Sequence, residues 1–201
     1  MNGIDFNDSL NKQQLTAVNC DEGNKLVLAG AGSGKTRVLT FRVAKLIEHF
    51  NVRPSDILAL TFTNKASREM KERIESLLRI SSQGLWFGTF HGICRRILKI
   101  NWKEAELSER FTILDSQDQL RLVKRIIKTN NLDEKLYDAK SIQSFINRKK
   151  DNGTRSNQTS EKDDEVYILV YKEYESILKQ TFSVDFADLI LKTYELLLKH
   201  E

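Results

Sequence analysis

Ala29-Gly30-Ala31-Gly32-Ser33-Gly34-Lys35-Thr36 is the stretch whose reading decides the fold. It follows the apolar run Lys25-Leu26-Val27-Leu28 and opens a helical segment that runs to Phe50. The order predicts a buried strand at Leu26–Leu28, a glycine loop and a helix, the layout of a phosphate-binding P-loop. Glycines let the backbone turn so that several N–H groups face one anion, and the helix N-terminus behind them adds partial positive charge. In such a loop Lys35 reaches the β- and γ-phosphates of ATP and the Thr36 hydroxyl ligates Mg²⁺. Ala29 stands where the motif usually has its first glycine, and an alanine fits there if φ is negative. The plain alternative is a glycine-rich turn between a strand and a helix.

The 201 residues are 40% hydrophobic and 30% charged, enough to bury a core in one or two domains. The net charge of +4 is unevenly spread. Residues 92–160 carry 15 basic and 9 acidic side chains, whereas residues 161–201 carry 5 and 10. The middle third is therefore the candidate polyanion surface, against the alternative of an ordinary solvated face. Cys20 and Cys94 have no metal-ligand spacing, and nothing points to disulfides, so a reducing cytoplasm is the default. Met1–Asp5 lacks the pattern of a signal peptide, and no apolar run is long enough for a membrane span.

Periodicity predicts helices over 11–18, 35–50 and 64–78, the last capped by Asn64. Buried strands are expected at 57–62 and 85–89, with helix from Gly92 to Ile100. Strands alternating with helices imply a parallel sheet. After Asn101 strands vanish, and helices are expected over 117–128, 139–149, 164–178 and 186–198. Ser116-Gln117-Asp118-Gln119 fits a capping box, and the polar segment Lys150–Asp163 reads as a mobile loop. At ~100° per residue, Arg121, Lys124, Arg125 and Lys128 share one helix face, a four-cation stripe with no acid inside it that suits a phosphate backbone. Leu120, Val123, Ile126 and Ile127 fall on the opposite, core face.

Three further segments accompany the loop: Leu10-Asn11-Lys12-Gln13-Gln14-Leu15-Thr16-Ala17-Val18, Thr61-Phe62-Thr63-Asn64-Lys65-Ala66-Ser67-Arg68-Glu69-Met70, and Gly88-Thr89-Phe90-His91-Gly92. In order and spacing the set resembles the UvrD/Rep-type DNA helicases. The resemblance continues through Phe111–Ser116, Asp118–Leu122 and Val184–Leu189, and so covers nearly the whole chain. It implies an α/β fold. Residues 1–92 would be the first part of a P-loop RecA-like parallel sheet, residues 93–184 an all-helical inserted subdomain, and residues 185–201 a return toward the RecA-like domain. Gln14 would pair with an adenine edge, and Arg37 would pack on the adenine ring. Phe62 would stack a DNA base, while Thr63, Asn64, Thr89 and His91 would touch single-stranded DNA. The Arg121 stripe would lie near the duplex. Each has a bland reading beside it: a core Phe62, an N-cap Asn64, a solvated Arg37, a capping His91.

Hydrolysis also needs a carboxylate for Mg²⁺ and another to position water. In the family both come from an apolar strand ending Asp-Glu. Asp133-Glu134 and Asp163-Asp164-Glu165 have no such strand before them. The resemblance therefore implies the N-terminal, ATP-binding portion of a 3′-to-5′ helicase of DNA repair or replication, acting on single-stranded and duplex DNA with other repair proteins as possible partners. Alone it should bind ATP and Mg²⁺ but not hydrolyse. A helicase–nuclease of the same family, a small-molecule P-loop kinase and a non-enzymatic DNA-binding truncation are the rivals; the kinase leaves Gln14 and the Thr61–Met70 segment unexplained.

Overall fold

The computed structural model describes residues 6–20, 23–79, 84–160 and 162–200. The N-terminal stretch 1–5, read above for a leader, and Glu161 of the polar segment lie outside them. The chain divides into two compact units, residues 1–93 and 94–201.

The first unit opens with a short helix α1 (Phe6–Ser9) and α2 (Lys12–Asn19). Asn11 caps α2 in a reciprocal box: its side chain accepts from the Gln14 N–H, and the Gln14 side chain accepts from the Asn11 N–H. After the glycine loop come α3 (Lys35–Glu48), β1 (Leu58–Thr61), α4 (Asn64–Leu78), β2 (Trp86–Thr89) and the start of α5 (Phe90–Ile100), whose residues from Cys94 on belong to the second unit. β1 and β2 pair in parallel, with Leu58 opposite Trp86 and Thr61 opposite Thr89. Helix α4 places Met70, Ile74 and Leu78 at a spacing of one turn, and all three are buried against Val43, Ala44, Ile57 and Ala59. A second cluster joins Leu10 and Val18 to Val38 and Phe41, so α3 buries residues toward both α2 and α4.

Two expectations fail here. Leu26–Leu28 forms no strand; Leu26 and Leu28 are 83% and 85% exposed. A strand needs a neighbour for its N–H and C=O groups, and β1 pairs with β2 alone among the described residues, which leaves this segment without a ladder. The cap of α4 is Thr63, whose hydroxyl accepts from the Ala66 N–H at 3.1 Å, while Asn64 is the first helical residue. Thr63 has the extended backbone that a cap requires.

The second unit contains β3 (Thr112–Ile113), α6 (Ser116–Thr129), α7 (Ala139–Asp151), α8 (Glu165–Gln180), β4 (Ser183–Val184) and α9 (Phe186–Lys199). It is not all-helical: β3 and β4 pair in parallel, Thr112 with Ser183 and Ile113 with Val184. Two-residue strands so far apart in the chain leave no periodic signal. The cap of α6 is Asp115, whose carboxylate accepts from the N–H groups of Gln117 and Asp118; Ser116 already lies inside the helix. Apolar faces of α6, α7 and α8 meet in one core, with Val123, Ile142, Ile146, Val170 and Tyr171 fully enclosed. Asp133-Glu134 sits in the turn after α6 and Asp164 caps α8, so neither acidic pair follows a strand.

The polar segment Lys150–Asp163 is pinned rather than loose. Lys150 ends α7 fully buried, with its ammonium 2.7 Å from Asp185 and 2.6 Å from Asp188. Tyr174 donates its hydroxyl to Asp185 at 2.8 Å. Arg155 grips both Glu195 oxygens at 2.7 Å and reaches Asp188 at 2.7 Å and Glu175 at 3.1 Å. No buried side-chain polar atom among the described residues lacks a partner. Burial works against ionising Asp188, but Lys150 and Arg155 outweigh it and hold its carboxyl below the usual carboxylate range. Burial and the charge of Asp185 push the Tyr174 hydroxyl up, so it remains a donor.

Removing the ammonium leaves two buried carboxylates facing each other. Lys150→Met should therefore destabilise the second unit by about 3–5 kcal/mol. All five tyrosines lie between residues 137 and 194, so urea unfolding followed by the near-ultraviolet tyrosine signal reads this unit. An unchanged midpoint would show that the network contributes nothing. Acid should act on the same pairs. Asp188 titrates lower folded than unfolded, so its contribution is complete above about pH 4, where the unfolded carboxyl is ionised. It is lost as pH falls through the folded value. The urea midpoint of the tyrosine transition should drop with acidification in that window, and less so in Asp188→Asn.

Candidate nucleotide and nucleic-acid site

The loop from Ala29 to Ser33 is exposed and closes on itself. Ser33 donates its hydroxyl to the Gly30 carbonyl at 2.7 Å, and its N–H points to the same oxygen at 3.4 Å. Gly32 and Gly34 have φ of +74° and +86°, a region that L side chains rarely enter. Gly34 is also the N-cap of α3, and the Val38 N–H bonds its carbonyl at 3.0 Å. The exposed Lys35 begins the helix and folds back, donating to the carbonyls of Ala29 at 2.8 Å and Gly30 at 2.7 Å. Thr36 follows, exposed, within the first turn.

Gln14 ties α2 to this loop. Its side-chain amide donates to the Ser33 carbonyl at 3.0 Å. A Cβ on Gly34 would fall 2.7 Å from that amide nitrogen, the far end of a flexible side chain, so a larger residue would turn the Gln14 amide aside; the positive φ is the firmer requirement for glycine. Arg37 donates to the Ser9 carbonyl at 2.6 Å and lies over the Phe41 ring at 5.7 Å. Clefts flank α3 on both sides: one of about 330 Å³ includes Lys35, Val27 and Arg42, and one of about 710 Å³ includes Arg37 and Phe41.

The second group of expected residues sits at the carboxyl ends of β1 and β2. Each strand ends in Thr and is followed by Phe, and the parallel register sets Thr61 opposite Thr89. Phe62 is 91% exposed, which excludes a core role, and its ring lies 5.9 Å from that of Phe90, tilted by 46°. Thr89 accepts from the Gly92 N–H at 3.2 Å; Thr63, Asn64 and His91 are exposed. Phe90 had no assigned role, although the repeated Thr-Phe at 61–62 and 89–90 could have marked it.

The cationic stripe stands on α6, in the second unit. Arg121, Lys124, Arg125 and Lys128 are all exposed, opposite buried Val123, Ile126 and Ile127. The stripe is not free of acid: Asp118, one turn earlier, pairs with Arg121 at 2.7 Å. Among the described residues Lys124, Arg125 and Lys128 make no such pair. Among the described residues no helix is long and apolar enough to cross a membrane.

Gly34→Ala should cost roughly 1–2 kcal/mol from the left-handed backbone alone, and more because Gln14 must move. Thermal unfolding read through residues of the first unit by hydrogen exchange checks this. Protection of α2 equal to the parent would contradict the described packing.

The chain matches the profile of the UvrD/REP helicase N-terminal domain over residues 10–201. It is 46% identical over 192 residues to DNA helicase II of Escherichia coli and 45% identical over 196 residues to DNA helicase II of Haemophilus influenzae. It is 44% identical over 191 residues to the ATP-dependent DNA helicase PcrA of Bacillus subtilis. Each alignment covers 93–94% of this chain and 26–27% of the relative, so the chain spans about a quarter of the length of the curated relatives it matches. With a family profile spanning all but its first residues, the chain belongs to the UvrD/REP helicase N-terminal domain family.

Proposed function

We propose that these residues bind ATP with Mg²⁺ and single-stranded DNA for an ATP-dependent DNA helicase that moves 3′ to 5′ and opens duplexes during repair or replication. The observation that carries the reading is the loop itself. Its two left-handed glycines, its solvent-facing backbone and the Lys35 ammonium at the start of α3 make a setting for a chain of phosphates. The fit is chemical as well as geometric: the ammonium rests on two carbonyls at the loop mouth, and an exposed hydroxyl follows it. Bound there, MgATP would supply the phosphoanhydride bond whose cleavage drives the motor. Lys35 would exchange its carbonyl partners for phosphate oxygens, Thr36 would offer its hydroxyl to the cation, and Gln14 and Arg37 would border the base.

The DNA reading rests on Phe62. An aromatic ring held beyond the end of a parallel strand, bare to water and beside the Phe90 ring, offers apolar area at the place where such sheets bind ligands. A stacked base would cover it at a gain of roughly 1–3 kcal/mol, whatever the sequence. Thr63, Asn64, Thr89 and His91 surround it with hydroxyl, amide and imidazole groups suited to phosphate and sugar. On α6, Lys124, Arg125 and Lys128 would follow a duplex backbone, with Arg121 already shared by Asp118. In this reading residues 1–92 form part of a RecA-like sheet, 93–184 an insertion, and 185–201 the return.

A fluorescent ATP analogue with Mg²⁺ should bind the protein, and Lys35→Ala should weaken it about ten- to a hundredfold, the worth of charge-assisted hydrogen bonds. Neither Asp-Glu pair stands on a strand, so the 201 residues should release phosphate no faster than Lys35→Ala. Equal analogue binding by parent and variant would refute the nucleotide reading; turnover above the variant would place the hydrolytic carboxylates within this sequence.

A further inference from the structure

Helix α5 carries a second cationic row that the proposed site does not use. Its buried side is set by Ile93 and Leu98, with Cys94 and Ile97 half-buried beside them. On the opposite side Arg95 and Lys99 stand one turn apart, both exposed. Two i-to-i−4 bonds carry the helical path beyond Ile100: the Asn101 N–H to Ile97 O and the Ala105 N–H to Asn101 O, each 3.0 Å. Exposed Lys103 therefore follows Lys99 by one further turn, with its ammonium 5.3 Å from the Trp102 ring.

What separates this row from an ordinary solvated face is the absence of acid. Between Glu75 and Glu104 the sequence contains no Asp or Glu, yet it holds Arg79, Arg95, Arg96, Lys99 and Lys103. Among the described residues Arg95, Lys99 and Lys103 take part in no ion pair. Elsewhere in the same unit Lys149 is matched by Asp163, Lys150 by Asp185 and Asp188, Arg155 by Glu195 and Arg121 by Asp118, while Lys124, Arg125 and Lys128 belong to the α6 stripe already read as a DNA surface. An unmatched row repels itself and is tolerated where a polyanion neutralises it. Steps of four helical residues, about 6 Å at ~1.5 Å each, lie close to two nucleotide rises of a stacked strand at about 3.4 Å each.

We propose that Arg95, Lys99 and Lys103 form a backbone-binding row for single-stranded DNA, one that neutralises alternate phosphates without reading bases. The inference rests on the DNA-binding reading given above and adds a surface to it. Arg96 shares the helix but has other interactions, so it is left out of the row.

The test is the salt dependence of oligo-dT binding by the protein and by the triple variant Arg95→Gln, Lys99→Gln, Lys103→Gln. Each lost phosphate contact on a single strand lowers the slope of log K against log salt by about 0.7. The triple variant should lose about 2 from the slope, bind about a hundredfold more weakly at 0.1 M salt, and converge with the parent near 1 M. A charge-preserving variant, Arg95→Lys with Lys99→Arg and Lys103→Arg, should keep the parent slope. Phe62→Ala should weaken binding at every salt concentration with the slope unchanged. A triple variant with the parent slope would overturn the row while leaving the stacking site intact. A parent that does not bind oligo-dT at all would overturn the DNA reading itself.

Discussion

The link between α2 and the glycine loop runs through a space that no side chain fills. At Gly34 the backbone turns left-handed, and the Gln14 amide nitrogen lies 2.7 Å from where a Cβ would be. That approach lets one glutamine serve two ends. Its carbonyl oxygen closes the capping box of α2, and its NH₂ holds the loop at Ser33. The start of α3, and with it Lys35 and Thr36, is thereby placed by a helix that precedes the loop in sequence. Any residue larger than glycine would have to displace the amide and strain the backbone together.

The second constraint is register. A parallel pair advances both strands together, so strands ending in the same dipeptide bring like residues side by side. Thr61-Phe62 and Thr89-Phe90 do this, and the exposed ring pair follows from the pairing of Thr61 with Thr89. The turn into α4 at Thr63 and the immediate start of α5 at Phe90 keep both rings at the strand ends rather than in the core. One surface thus gathers aromatic area and hydroxyls within a few residues of chain.

Local chemistry was legible and non-local chemistry was not. The glycine loop, the helix at 64–78 and both strands of the first sheet followed from composition and spacing, because each is decided within one turn or one strand. Leu26–Leu28 read as a buried strand because it is apolar, but apolarity says nothing about whether a partner strand lies alongside. The β3–β4 pair, the burial of Lys150 and the anchoring of Arg155 all join residues tens of positions apart, so a polar segment that reads as loose is held by ion pairs invisible in the sequence. Caps shifted by one residue, to Thr63 and Asp115, for a simpler reason: adjacent Thr-Asn and Asp-Ser both offer capping side chains, and backbone geometry selects between them. At the site, the bond from the Gln14 amide to Ser33 and the ring contact of Phe62 with Phe90 join distant segments and were not legible, while Asp118 trims the α6 stripe to three unshared cations among the described residues.

Amide chemical shifts during titration with a non-hydrolysable ATP analogue and Mg²⁺ test the central claim most directly. The account predicts that the largest changes fall on the N–H groups from Ala31 to Thr36 and on the side-chain amide of Gln14, with saturation at a single site. Saturating shifts confined to other segments, with the loop amides unmoved, would contradict it.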